Sequence, residues 1–126
     1  MTSWVRALFG HQLLPLRQRV ELFSLVSQTS GHPIATTSPD DRDGFSLGIK
    51  QLWRSFAGGP VWFYEGETLA YRFIWYRRPG DDLVVTFAPN STTNGDNEIT
   101  LYQAVLGILE PQIAIGTSAP PASPGN

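Results

Sequence analysis

Residues 61–78 read VWFYEGETLAYRFIWYRR, and the interpretation of this stretch decides the fold. Aromatic and β-branched residues fill it on both sides of Glu65, Gly66 and Glu67, so it reads as two strands, VWFYEGE and LAYRFIWYRR. Glu65 and Glu67 are two residues apart on a strand and share one face. That face can carry an acid–base or cation-binding carboxylate pair, or a solvated pair with Arg72 as cross-strand partner. Gly66 marks a bulge or a place where another backbone or a ligand comes close.

Working outward, the turn Gly58-Gly59-Pro60 precedes the stretch and Pro79-Gly80-Asp81 follows it. Upstream, FSLGIKQLW (Phe45 to Trp53) reads as one alternating strand, and downstream DLVVTFAP reads as another. Four sequential strands with short turns predict an antiparallel meander. Toward the N-terminus, Thr2 and Ser3 can cap a helix that Gly10 ends in a left-handed conformation. Pro15 opens a second helix over LPLRQRVELFSLVS, with Leu16, Val20 and Phe23 on its apolar stripe, widened by Leu22, Leu25 and Val26. QTSGHPIATTSPDDRDG reads as a long loop. After β-rich sequence, EITLYQAVLGIL forms a closing helix capped by Asp96 or Asn97. Its stripe is Ile99, Tyr102, Val105, Leu106 and Leu109, and it is expected to stop before Pro111. The whole is an α+β domain over residues 1–116: a four-stranded antiparallel meander packed with two N-terminal helices and one C-terminal helix. Residues 117–126 form a disordered Pro/Ser tail.

The totals agree with one domain. A chain of 126 residues buries roughly two thirds of its unfolded surface. With 41% hydrophobic and 16% charged residues it is an ordinary globular sequence. A net charge of -2 gives no electrostatic reason for a nucleic-acid or anionic-membrane partner. There is no cysteine, which excludes disulfides, thiolate catalysis and cysteine-ligated zinc. The N-terminus MTSWVRALFG is not built like a signal peptide, and no apolar run reaches membrane-spanning length, so a cytoplasmic location is expected for the chain as written.

Other chemistry-bearing candidates are weak. His11 and His32 have no metal-ligand spacing, and Asp40, Asp41 and Asp43 do not match a calcium loop. No metal or cofactor is expected. Asn90-Ser91-Thr92 matches the glycosylation sequon. Neither G-x-S-x-G nor S-x-x-K occurs, Ser46 and Lys50 being one residue too far apart for the latter.

FSLGIKQLW followed by GPVWFYEGETLAYRFIWYRRPGDDLVVTFAPNST and a terminal helix resembles the C-terminal part of the serine β-lactamase and penicillin-binding-protein superfamily. The subgroup it resembles is the class C-like hydrolases labelled D-alanyl-D-alanine carboxypeptidase or esterase. WVRALF, LLPLRQRVELFSLVS and GHPI extend the resemblance over nearly the whole chain except the tail. In that family a strand carrying a Lys-or-His, any residue, Gly triplet lines the active site. Tyr64, Glu65 and Gly66 match those positions, and Glu67 matches the residue whose backbone N–H contributes to the oxyanion hole. The resemblance implies a substrate-binding edge at Tyr64, Glu65, Gly66, Glu67, Thr68 and Arg72, facing a β-lactam, peptide or ester. Tyr64 stands where the family has Lys or His, and Ala70 where it has glycine. The family's S-x-x-K and Y-x-N motifs are absent, so acyl transfer by this chain alone is not expected. Met1 reads as an internal methionine of a longer protein or the start of a truncated frame; full-length family members are often periplasmic or secreted.

Three functions follow as expectations. The first is a truncated serine-hydrolase segment, inactive alone, that keeps the oxyanion strand. The second is a stand-alone ligand-binding or interaction module, dimeric. The third is a small hydrolase with its chemistry centred on Glu65, Glu67, Tyr64 and Arg72. A segment of this kind exposes a sheet edge and an apolar face. A missing N-terminal segment or, preferentially, a homodimer that pairs edge strands is expected to cover them.

Overall fold

The computed structural model describes residues 1–10, 13–68, 71–90 and 97–116. Helices α1 (Thr2–Phe9) and α2 (Leu16–Phe23) are followed by strands β1 (Leu25–Ser27), β2 (Pro33–Ile34), β3 (Asp43–Phe45) and β4 (Lys50–Arg54). A 3-10 turn at Ser55–Ala57, strands β5 (Gly59–Glu67), β6 (Arg72–Arg78) and β7 (Leu83–Phe87), and helix α3 (Asn97–Gly116) complete the order. All strands join one antiparallel sheet in the order β2-β1-β3-β4-β5-β6-β7. The α+β class is as expected, but among the described residues the sheet has seven strands rather than four.

The extra strands come from two places. The segment Phe45 to Trp53 is two strands rather than one. Gly48, at φ +83, lets the chain reverse between β3 and β4, and the Ser46 N–H closes the turn on the Ile49 carbonyl. The second helix stops at Phe23 instead of running through Ser27. The Ser24 hydroxyl donates back to the Val20 carbonyl at 2.7 Å, and Ser24 itself is extended. From there Leu25 and Ser27 are buried and Val26 exposed, the period of a strand. Leu16 and Val20, expected on the buried stripe of that helix, are exposed.

Within the long loop, β2 and β3 are held by side chains distant in sequence. Gln51 Oε1 accepts from the Thr36 hydroxyl, the Thr37 N–H and the Thr37 hydroxyl at 2.8–3.1 Å. The buried Ser27 hydroxyl donates to Asp41 and accepts from the N–H groups of Thr29 and Ser30. Asp41 is therefore a loop anchor.

Three smaller expectations also change. Helix α1 starts directly after Met1 with no side-chain cap, and Gly10 is extended rather than left-handed, its N–H bonding the Arg6 carbonyl at 2.8 Å. Helix α3 continues through Pro111 to Gly116; the imino acid removes one backbone donor without ending the helix. His11, Leu69, Ala70, the end of the sequon, Asp96 and the tail 117–126 lie outside the described residues.

Both faces of the sheet are covered. On one, α1 and α2 bury Val5, Leu25, Ile49, Trp62, Trp75 and Val84, with the Phe9 ring stacked on Phe23 and edge-on to Trp75. On the other, α3 inserts Tyr102 and Leu106 against Leu52, Val61, Phe63, Ile74 and Tyr76. Tyr76 and Tyr102 lie parallel, ring centroids 4.2 Å apart.

Candidate functional site

Gly59–Glu67 and Arg72–Arg78 form the β5–β6 hairpin, whose ladder is regular from Trp62 opposite Arg77 to Glu67 opposite Arg72. Glu65 faces Ile74, Gly66 faces Phe73 and Glu67 faces Arg72 in unbroken register, so Gly66 is not a bulge. The hairpin is closed by the Thr68 N–H donating to the Tyr71 carbonyl at 2.9 Å. Thr68 therefore belongs to the turn.

Alternation splits the candidate residues between the two faces. Glu65, Glu67 and Arg72 lie on the α3 side, where one guanidinium spans both carboxylates. Arg72 Nη2 is 2.7 Å from Glu65 Oε1 and Arg72 Nε is 3.7 Å from Glu67 Oε2. This is the cross-strand ion-pair arrangement allowed by the sequence.

Tyr64 and Gly66 lie on the opposite, α1–α2 side. The Tyr64 ring stacks toward Trp75 at 6.3 Å and folds down over Gly66: a Cβ there would meet the Tyr64 hydroxyl at 3.2 Å. The glycine makes room for the tyrosine of its own strand. Beside Tyr64 a cavity of about 840 Å³ opens between the helices and the sheet, walled by Trp4, Leu8, Leu22, Leu47, Phe73 and Trp75. The lining is almost wholly apolar, and the volume is that of a small-molecule site. These lining residues were not singled out from sequence; the alternation of Trp62 and Tyr64 opposite Phe73 and Trp75 was the available signal.

Backbone direction adds the polar element. In an antiparallel ladder, residues alternate between bonding one neighbour and the other. Thr68 bonds Tyr71, and Arg72 N–H donates away from β5 to the Pro89 carbonyl at 3.1 Å. Glu67 and Glu65 consequently direct their N–H and C=O groups away from β6. The ladder with β4 ends at Lys50 opposite Phe63, so β5 overhangs from Tyr64 to Glu67. Among the described residues no backbone group takes up those outward N–H groups. The overhang is an open strand edge flanked by Ile49 and the Gly48 turn, which also line the cavity.

Among the described residues no three His, Asp or Glu side chains are grouped to hold a metal ion. His32 is exposed, and its backbone carbonyl accepts the Ser27 N–H at 2.9 Å. Among the described residues no helix is long and apolar enough to cross a membrane.

No protein-family model, no curated protein and no solved structure matches this chain.

Proposed function

We propose that this chain is the C-terminal segment of a β-lactamase-like serine hydrolase, keeping the oxyanion strand of an acyl-transfer cleft and lacking its nucleophile. The observation that carries this reading is the outward direction of the Glu67 N–H, on an open strand edge beside an apolar cavity. A backbone donor fixed on a strand can polarise a carbonyl without reorganising. In this reading a ligand amide or ester lies along Tyr64–Glu67 and its apolar substituent fills the cavity. Glu65 and Glu67 serve through their backbone, since their carboxylates face α3 and are bridged by Arg72. No acyl intermediate forms, because an oxyanion donor cannot replace an activated hydroxyl.

The decisive measurement is intact mass after incubation with a reactive β-lactam and, separately, an activated ester. An unchanged mass is expected for the folded protein. A stoichiometric acyl adduct would overturn the inactive-segment reading and revive a hydrolase using Tyr64, Glu65 and Glu67. The cavity supports a second reading, a stand-alone module that binds an apolar ligand. Its signature is a thermal shift with apolar ligands that carry no acyl group; the cleft reading expects stabilisation only when an amide or ester carbonyl is present.

A further inference from the structure

The two ends of the sheet differ. At one, β2 is only Pro33 and Ile34, a short strand opened by a residue that cannot donate. Such an edge is blunted against pairing. At the other, β7 is LVVTF, five residues of strand-forming type without proline, glycine or charge. No strand pairs with its outer side among the described residues.

Pairing parity shows which groups point outward there. The Arg72 N–H faces Pro89, so Ile74, Tyr76 and Arg78 bond Phe87, Val85 and Leu83 in turn. Val84 and Thr86 therefore point their N–H and C=O groups outward. These two residues flank Val85 symmetrically.

We propose that a second copy of this chain pairs antiparallel with β7, with the two-fold axis through Val85. In that register each Val84 lies opposite the second copy's Thr86 as a hydrogen-bonded pair, and Val85 faces its own equivalent as a non-bonded pair. Both parts of the antiparallel alternation are met at once. It is also the register that overlaps all of Leu83–Phe87. Charge agrees with it: Asp82 comes opposite the second copy's Ala88, so the acidic Asp81-Asp82 turn does not meet itself. Leu83, Val85 and Phe87 pack toward the α3 core, and their equivalents continue that apolar row. The assembly is isologous and closed, because the blunt β2 edges are left at its ends. It does not depend on the cleft reading, whose open edge is on β5.

The chain has no cysteine, so a single thiol gives a clean test. Val85→Cys places two thiols across a non-bonded pair, the close spacing that favours a disulfide. Mild oxidation is expected to give a covalent species of twice 13.9 kDa. Leu83→Cys puts its thiols roughly 13 Å apart along the strands and is expected not to cross-link. Thr86→Pro removes an outward donor while sparing the β6 ladder. It is expected to convert a dimer, measured by sedimentation, into a monomer with unchanged circular dichroism. A native chain that sediments as a monomer at tens of micromolar overturns the proposal. So does a dimer in which Leu83→Cys cross-links and Val85→Cys does not. If Thr86→Pro fails to fold, the two cysteine variants decide alone.

Discussion

Tyr102 is fully buried, and among the described residues its hydroxyl has no hydrogen-bond partner. Burial pushes its pKa up from 10.0 to about 12; the charge of Arg78 works against the rise and that of Asp81 adds to it. The phenol stays protonated in both states below about pH 10. Above that, the unfolded chain loses the proton while the folded one keeps it, so stability falls until the folded pKa is passed. A loss of about 2–3 kcal/mol between about pH 10 and pH 12 is expected from this one group. Tyr102→Phe should abolish that part of the alkaline decline. Near neutral pH it should be neutral or stabilising by up to about 1 kcal/mol, since it deletes an unsatisfied polar group. Urea midpoints of both proteins at about pH 8 and about pH 11 test this. At the same scale, the sequence showed that Glu65, Glu67 and Arg72 share a face, and the ion pairs follow from that. It did not show that the Tyr64 ring would occupy the space above Gly66, because that depends on which rotamer Trp75 leaves room for.

The connection between the β6–β7 turn and α3 runs through Arg78. It donates from Nη2 to Asp81 at 2.7 Å and from Nη1 to Glu110 at 3.3 Å, with its own side chain 15% exposed. The hydrogen bond from Arg78 holds the Asp81 carboxyl below the usual carboxylate range, against the opposing effect of burial. A carboxyl lowered in the folded state contributes stability above its unfolded value and loses it as pH falls through its folded value. Arg78→Ala should therefore cost up to about 1 kcal/mol at neutral pH, the pair being partly open to solvent, and cost less as Asp81 protonates in acid. Thermal unfolding as a function of pH tests both parts. Legibility at this scale tracked element length. The hairpin β5–β6 and the part of helix α3 before Pro111 were readable because long elements carry their own periodicity. Strands β1, β2 and β3, of two or three residues each, carry none. They exist because Gln51, Ser27 and Asp41 pin the surrounding loop against the sheet.

One sheet separates two cores, and its central strands belong to both. Trp62 and Trp75 report the α1–α2 side, whereas Tyr76 and Tyr102 report the α3 side, yet Trp75 and Tyr76 are neighbours on β6. Loosening either core exposes that strand, so unfolding should be a single cooperative step. Tryptophan emission, near-ultraviolet dichroism of the tyrosines and far-ultraviolet dichroism should give coincident urea midpoints; midpoints that separate would mean the two sides unfold independently. By itself the sequence determined the class, the main hairpin and the buried stripe of α3, because alternation and helical spacing are properties of neighbouring residues. The tertiary structure alone decided that short loop segments become strands and that the cavity lies on the Tyr64 side. It also decided that β5 outruns β4 and leaves the Glu67 amide facing outward. Each of these depends on where a distant segment ends or packs, and no local pattern of side chains carries that information.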